Sequence, residues 1–203
     1  MRSLLLLALA CVLSACSPRQ GPLPAEAAEP EEFDCSERLW PESVGDYDGT
    51  GPFVGDLVPN WTLPDQFGCP ASFDQFLGNV TLIDISASWC GPCNEIAATS
   101  MEVLDAVRAT SPRTWSITVL THGHFNDLAT VADAQWWVEE YDLEYPVFAD
   151  IEGTIPSAFG FSDTYPILLF VGPDGRIYDR STGRLEDAEI VQRINDGLEE
   201  YGL

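Results

Sequence analysis

Two cysteines separated by two residues lie where an apolar strand gives way to a helix. The strand covers residues 80–86 and the helical pattern begins near Cys93; the run between them is Trp89-Cys90-Gly91-Pro92-Cys93. A helix N-terminus carries unpaired N–H groups and a partial positive charge, which favour the thiolate form of a cysteine there. Residues three apart lie on one helix face, within the roughly 5.5 Å between Cα atoms that a disulfide requires. The pattern predicts a disulfide that opens and closes, with a thiolate as the attacking group.

A Cys-x-x-Cys pair also occurs as half of a zinc site. Such a site requires a second cysteine pair, or histidines at matching spacing. The sequence contains no second Cys-x-x-Cys. Redox chemistry therefore explains the pair better than metal binding, and we expect no metal.

The first residues have the features of an export signal. Arg2 gives a positive start, residues 4–12 form an apolar stretch too short to span a bilayer as a helix, and small residues follow. Residues 13–16, Leu-Ser-Ala-Cys, resemble the bacterial lipobox, in which signal peptidase cleaves before the cysteine and lipid is attached to it. The resemblance implies removal of residues 1–15 and a lipid anchor on Cys16, on the periplasmic side of a bacterial envelope. The alternative is an ordinary cleaved signal with an incidental cysteine.

The charge of the chain excludes one class of partner. The sequence has 33 acidic residues against 9 basic ones, and it contains no lysine. Nucleic-acid binding draws most of its affinity from Lys and Arg neutralising phosphates, so we expect no nucleic-acid partner. The same acidity weakens attraction to anionic lipid, which leaves membrane attachment to the lipid anchor.

Two further cysteines remain once export is accepted. Cys11 leaves with the signal and Cys16 is acylated, so Cys35 and Cys69 stay beside the active pair. In an oxidising compartment, an even number of remaining cysteines favours a structural disulfide between them. In the chain-entropy model this bridge stabilises the fold by roughly 3–4 kcal/mol. The alternative is two buried free thiols.

The sequence divides into four segments. Residues 1–15 are the signal, residues 16–32 a flexible acidic tether rich in Pro, Ala and Glu, residues 33–54 an irregular extension, and residues 55–203 the domain. In the domain, strands alternate with helices and a late hairpin follows, which predicts an α/β fold with a mixed sheet covered on both faces. The pattern predicts strands over 60–63, 80–86, 115–120, 146–149, 167–171 and 177–180, a helical turn over 72–77, and helices over 95–110, 129–141, 155–159 and 187–201.

Residues 55–203 resemble the thioredoxin superfamily, and within it the exported, membrane-anchored TlpA/ResA-like (redoxin-like) branch. Four landmarks carry the resemblance: the entry to the first hairpin (55–68), the active-site run (89–93), Tyr165-Pro166, and the turn at 172–177. The resemblance implies a thioredoxin fold with an N-terminal hairpin extension. It also implies a thiol-disulfide oxidoreductase with no cofactor beyond its cysteines.

The resemblance assigns roles to residues of the active-site run. Cys90 is in the position of the solvent-facing nucleophile, and Cys93 in that of the buried resolving thiol, which attacks the mixed disulfide and releases the partner. The flanking residues implied to contact substrate are Trp89, Gly91 and Pro92. Pro166 matches the family's cis-proline, and Tyr165 before it would offer its backbone to a substrate strand; the alternative is a trans proline starting an edge strand.

Asp84 is a lone carboxylate in an apolar strand. Burial there is costly for a charged group and raises its pKa, which suits proton exchange with a thiol near neutral pH. It lies six residues before Cys90, where thioredoxins carry their buried acid. Our hypothesis is that Asp84, directly or through a water, deprotonates Cys93 during release. The alternative is an aspartate that reaches solvent at a strand end.

Several positions depart from the family pattern. The lysine that partners the buried acid in thioredoxin is missing, Ile96 and Ala98 replace a glutamate and a proline common in TlpA and ResA relatives, and Tyr165 is bulkier than usual. The expected partners are therefore exported thiol or disulfide proteins and an unidentified redox donor. Gly91-Pro92 matches the reducing thioredoxins and favours reduction over oxidation.

Three other functions fit the sequence less well. A peroxiredoxin requires a Pro and a Thr in a set pattern before its cysteine, and residues 84–89 contain neither. A Sco-like copper carrier binds metal through two cysteines and a histidine, for which His122 or His124 would have to serve. An inert surface lipoprotein is opposed by the intact active-site run.

Overall fold

The strands and helices of this chain are given by a computed structural model, which describes residues 33–161 and 164–203. The predicted signal (1–15), the acylation site Cys16 and the tether (16–32) lie outside the described residues. The strands are β1 Thr62–Pro64, β2 Pro70–Ser72, β3 Val80–Ala87, β4 Thr114–His122, β5 Val147–Ala149, β6 Ile167–Val171 and β7 Ile177–Thr182. The helices are α1 Gly91–Arg108, α2 Val131–Tyr141, α3 Ile155–Ala158 and α4 Asp187–Tyr201, with 3₁₀ turns at Cys35–Glu37 and Phe73–Phe76.

Five strands form the central sheet in the order β5-β4-β3-β6-β7. The first three, β3, β4 and β5, run parallel, whereas β6 and β7 are antiparallel to their neighbours. The separate hairpin β1–β2 precedes the sheet in the chain. All eight residues of β3 are buried, so both faces of the sheet are covered at its centre. The predicted mixed α/β architecture is confirmed.

The active-site helix begins earlier than the sequence predicted. Helix α1 starts at Gly91, two residues before Cys93, near which the helical pattern was expected to begin, and four before the predicted range 95–110. Cys90 is its N-cap and Pro92 lies in its first turn. Proline is tolerated there because the first N–H groups of a helix have no intrahelical partner. The Gly-Pro pair, which resembles a helix breaker, is therefore part of the helix.

Helix α1 covers the face of the sheet that carries Asp84. Its buried stripe includes Cys93, Ile96 and Ser100, which lie on one face of the helix by their spacing. Helix α4 packs beside α1 and contacts β3 and β6. The space between these helices and the sheet is thus closed on several sides, and Cys93 lies at its active-site end.

A disulfide joins the irregular N-terminal chain to the first hairpin. The Cα atoms of Cys35 and Cys69 are 5.7 Å apart across this bridge. Arg38 adds a hydrogen bond of 2.9 Å to the carbonyl of Pro70. The ring of Phe33 stacks on that of Phe67 with centroids 4.1 Å apart. Among the described residues, no helix combines the length and apolar character required to cross a bilayer.

Candidate active site

The Cys90–Cys93 disulfide spans the first turn of α1. The two Cα atoms are 5.2 Å apart, and the Sγ of Cys90 accepts a hydrogen bond from the backbone N–H of Cys93 at 3.3 Å. Cys90 is 4% exposed and Cys93 is fully buried, so in the bonded form both sulfurs are largely covered. A thiolate formed at Cys90 would lie at the positive end of an 18-residue helix.

An exposed surface surrounds this disulfide. Gly91 and Pro92 are exposed, and the indole of Trp89 is 46% exposed. The Trp89 ring meets the edge of the Tyr165 ring with centroids 5.7 Å apart. The Tyr165–Pro166 peptide bond is cis and directly precedes β6, so it lies at the same edge of the sheet as the end of β3. The structure therefore brings together the residues that the resemblance implied for substrate contact.

Asp84 is buried beneath α1. Its carboxylate is 3% exposed and accepts a hydrogen bond of 2.7 Å from the hydroxyl of Ser86, so it does not reach solvent. Burial raises the pKa of Asp84 from 3.8 to about 7, against a smaller lowering by the Ser86 hydrogen bond. This pKa allows both the charged and the neutral form near neutral pH.

A small cavity beside Asp84 extends toward α1. Its volume is about 10 Å³ and its lining includes Asp84, Ile96, Ser100 and Tyr145, and a cavity of this size holds about one water molecule. Tyr145 donates a hydrogen bond of 2.9 Å to Ser100, and burial raises the pKa of Tyr145 to about 12, so it stays protonated. The polar groups of this cavity lie on the same side of the sheet as Cys93.

Asn94 is a site residue that the sequence did not point to. Its side-chain amide donates to the carbonyl of Cys90 at 2.6 Å and to that of Ser88 at 3.3 Å. Its amide oxygen accepts a hydrogen bond of 2.5 Å from the hydroxyl of Tyr141, the last residue of α2. Asn94 therefore ties the active-site turn to a helix 47 residues further along the chain. No local motif signals such a contact.

The two histidines have other partners. His122 lies at the end of β4, with Nδ1 at 3.0 Å from the hydroxyl of Thr121 and 3.2 Å from that of Tyr165. The ring of His124 meets the edge of Trp136 with centroids 4.1 Å apart. Within residues 33–161 and 164–203, no group of three His, Cys, Asp or Glu side chains is arranged to hold a metal ion. The copper-carrier alternative thus has no preformed site in the part of the chain that the structure describes.

Solved structures with the same fold support the architecture. A putative thiol:disulfide interchange protein DsbE from Chlorobium tepidum superposes with a TM-score of 0.59 at 23% identity, over 72% of this chain and 98% of that one. The exposed lipoprotein thioredoxin Etrx1 of Streptococcus pneumoniae gives a TM-score of 0.54 at 22% identity, over 68% and 98% of the two chains. The predicted thioredoxin fold is confirmed.

A thioredoxin fold with a Cys-x-x-Cys disulfide at a helix N-terminus defines a thiol-disulfide oxidoreductase. Residues 54–180, more than half of the chain, match the family model AhpC/TSA, and the chain belongs to the AhpC/TSA family. It is 22% identical over 148 residues to the thiol-disulfide oxidoreductase ResA of Bacillus thuringiensis subsp. konkukian, covering 73% of this chain and 76% of the relative. The predicted membership of the thioredoxin superfamily, in its redoxin-like part, is confirmed.

Proposed function

We propose that this thiol-disulfide oxidoreductase reduces disulfides of exported proteins through a mixed disulfide on Cys90. The observation that carries the proposal is the Cys90–Cys93 bridge across the first turn of α1, with Cys90 as the N-cap. The N-cap sulfur receives the backbone N–H of Cys93, which lies in the first turn of the helix. The same dipole and hydrogen bond that contact this sulfur in the bonded form would favour its thiolate in the reduced form.

The reaction proceeds in two exchanges. The Cys90 thiolate attacks one sulfur of the partner's disulfide; an S–S bond forms to Cys90, the partner's S–S bond breaks, and the other partner sulfur leaves as a thiolate that takes a proton from solvent. Cys93 then attacks the Cys90 sulfur and releases the second partner thiol. Two electrons pass to the partner, and the Cys90–Cys93 disulfide must be reduced by a dithiol donor before the next cycle.

Asp84 serves the second exchange as a general base. Its buried carboxylate faces the space under α1, the helix that carries Cys93. As a carboxylate it takes the Cys93 proton, directly or through one water in the adjoining cavity, and so generates the attacking thiolate. The absence of lysine from the sequence leaves this carboxylate without the ammonium partner found in thioredoxin.

Trapping of the first exchange tests the function. Cys93→Ser, reduced beforehand, should accumulate a mixed disulfide between Cys90 and disulfide-bonded protein substrates such as insulin, seen as a reducible mass increase, because no resolving thiol releases the partner. The double Cys90→Ser, Cys93→Ser variant should not. The unchanged chain should reduce insulin with dithiothreitol as donor. Absence of both signals would contradict the proposal, and consumption of hydrogen peroxide much faster than insulin reduction would support the peroxiredoxin alternative instead.

The direction of the reaction follows from the potential of the pair. Equilibration with glutathione or dithiothreitol should give a reduction potential of about −270 mV for a reductase, whereas about −120 mV would identify an oxidase. The Gly91-Pro92 pair of reducing thioredoxins supports the lower value.

The proposal includes a lipid anchor on Cys16 at the periplasmic side of the envelope. Its support is the lipobox-like run at residues 13–16 and the fold shared with a protein described as an exposed lipoprotein thioredoxin. Expressed in a bacterial host, the full chain should enter the membrane fraction and incorporate labelled palmitate. Cys16→Ser should remove both properties, and a soluble, unlabelled full chain would contradict the anchor.

A further inference from the structure

The edge of the sheet that carries the cysteines also carries exposed apolar side chains. Strands β3, β4 and β5 are parallel, so their carboxyl ends and the loops that follow lie at one edge. Each loop presents a large apolar side chain to solvent: Trp89 (46% exposed) after β3, Phe125 (93%) and Leu128 (44%) after β4, and Ile151 (48%) after β5. Exposed apolar groups that share one edge are typical of a surface that binds a partner.

The loops at this edge are joined to one another. The backbone N–H of Ser88 donates to the carbonyl of His122 at 3.0 Å, and His122 pairs with Leu128 across the second loop. The side chain of Leu128 lies against Gly153, where an added Cβ atom would be 3.0 Å from it. The apolar groups are therefore held on a connected backbone that begins at the active-site turn.

The second loop is a closed turn with defined conformation. The backbone N–H of Gly123 donates to the carbonyl of Asp127 at 3.0 Å, and that of Asn126 donates to Gly123 at 3.2 Å. Asn126 has a left-handed backbone with φ of 63°, a conformation that asparagine tolerates better than most residues. Phe125 at the tip of this turn is thus presented to solvent by backbone hydrogen bonds.

The charge of the same region selects the partner. Between Arg113 and Arg176 the sequence contains no Arg or Lys and ten Asp or Glu residues. Two of these acids, Asp127 and Glu152, are exposed on the second and third loops. On the other side of α1, Arg184 already contacts Glu95 at 3.0 Å and Glu186 at 2.6 Å. The surface beside Cys90 is therefore apolar with an anionic rim.

We propose that this edge, defined by Trp89, Phe125, Asp127, Leu128, Ile151 and Glu152, docks protein substrates whose disulfide is flanked by apolar and cationic residues. The proposal rests on the proposed function, because it names the class of substrate that the Cys90 site selects. Apolar contacts supply attraction at the four exposed side chains, and the carboxylates attract Lys or Arg and repel acidic partners. Anionic lipid and acidic proteins would be repelled by the same rim.

Paired peptides test the charge selection. Two peptides should carry the same intramolecular disulfide and the same flanking Phe residues, one with four Lys and the other with four Glu. With reduced chain and a dithiol donor, we expect kcat/KM for the Lys peptide to exceed that for the Glu peptide about tenfold at low salt, and about threefold or less at 0.5 M NaCl, because salt screens exposed charges.

Variants of the docking edge test whether its side chains cause the preference for the Lys peptide. Asp127→Asn with Glu152→Gln should reduce the Lys-to-Glu ratio at least threefold. Glu199→Gln with Glu200→Gln is a matched change of two exposed acids at the C-terminal end of α4. This control should leave the Lys-to-Glu ratio unchanged. Phe125→Ser should raise KM for both peptides several-fold. All variants should reduce hydroxyethyl disulfide, a small neutral substrate, at the rate of the unchanged chain.

The outcomes separate two failures. Equal or inverted rates for the two peptides, a ratio that the loop variant does not change, or Phe125-dependent self-association in light scattering would overturn the docking proposal while leaving disulfide reduction intact. Failure to reduce hydroxyethyl disulfide and both peptides would instead count against the proposed function itself.

Discussion

The two disulfides of this chain are the same bond in opposite settings. Cys35–Cys69 joins positions 34 residues apart and fastens irregular chain to a hairpin. Cys90–Cys93 joins positions 3 apart and lies within the first turn of a long helix. Closing a long loop restrains the unfolded chain much more than closing a short one. The first bridge is therefore suited to stability, and the second can open without releasing any part of the fold.

The residues around the sulfur atoms also differ between the two disulfides. Cys35 follows Asp34, whose pKa is lowered by hydrogen bonds from the backbone and side chain of Ser36. The backbone N–H of Cys69 donates to the carboxylate of Asp65 at 2.9 Å. Arg38 pairs with Asp65 at 3.4 Å and donates to the carbonyl of Cys35 at 3.0 Å, so both signs of charge lie near this bridge. The N-terminus of α1, in contrast, favours a thiolate at Cys90. The position of Cys90 at the N-terminus of a long helix, and not the disulfide itself, distinguishes the exchanging pair from the structural one.

The largest expected effect separates the two pairs by activity. Cys90→Ser should lower the rate of insulin reduction at least about 1,000-fold, since it removes the attacking sulfur. Cys35→Ser with Cys69→Ser should keep at least about half of the activity at 25 °C, with its folded state checked by circular dichroism. A loss of similar size in both variants would show that the two disulfides act in one electron path.

The free energy of unfolding should depend more on the Cys35–Cys69 disulfide than on the Cys90–Cys93 disulfide. Cys35→Ser with Cys69→Ser should lower the free energy of unfolding by about 3–4 kcal/mol, against about 2 kcal/mol or less for Cys90→Ser with Cys93→Ser. Urea unfolding of both variants, monitored by tryptophan fluorescence, measures the difference. Equal losses would mean that the N-terminal chain retains its contacts with the hairpin after unfolding.

The architecture and the cysteines were predictable because their signals are local. Alternating apolar strands and amphipathic helices predicted the mixed sheet, and the run at residues 89–93 lies on consecutive positions. The apolar neighbours of Asp84 also predicted its burial, since a strand that is covered on both faces leaves no solvent-facing side. Its role toward Cys93 stays a prediction.

Features that depend on distant segments were not predictable. The contact of Asn94 with Tyr141 depends on where α2 ends, and the edge formed with Phe125 depends on the parallel register of three strands. The start of α1 was misplaced for a different reason: Gly91-Pro92 has low helix propensity, but the first turn requires few backbone donors.

The buried acid should give the active pair a pH dependence that the structural pair lacks. Asp84→Asn should slow release of the mixed disulfide about 100-fold, the scale of general base catalysis. Because the Asp84 pKa is about 7, release in the unchanged chain should accelerate as pH rises through 7, and in the variant this step should disappear. Stopped-flow fluorescence between pH 5 and 9 tests it; an unchanged rate and profile would remove Asp84 from the mechanism.

Unfolding measurements check the same group independently. A folded-state pKa above the unfolded value means that the native state holds the proton more tightly, so stability falls as pH rises from about 4 to about 7. Asp84→Asn should therefore stabilise the fold at pH 8, by on the order of 4 kcal/mol, and this gain should vanish below pH 4. A gain that is independent of pH would show that Asp84 has an ordinary pKa.

The smallest expected effect concerns the hydrogen bond from Tyr141, the last residue of α2, to Asn94 in the active-site helix. Tyr141→Phe removes the hydroxyl that bonds Asn94, and the freed amide should donate less steadily to the carbonyl of Cys90. That carbonyl then carries more negative charge beside its own sulfur, which should lower the thiolate fraction of Cys90 at neutral pH about threefold and slow attack equally. Thiolate absorbance near 240 nm against pH measures the fraction directly.

Tyr178→Phe is the matched control, because the hydroxyl of Tyr178 bonds the carbonyl of Arg193 on α4, away from the cysteines. An identical titration of Cys90 in both variants would confine Asn94 to holding the helices together, whereas a shift in Tyr141→Phe alone would show that α2 contributes to the reactivity that sets this disulfide apart.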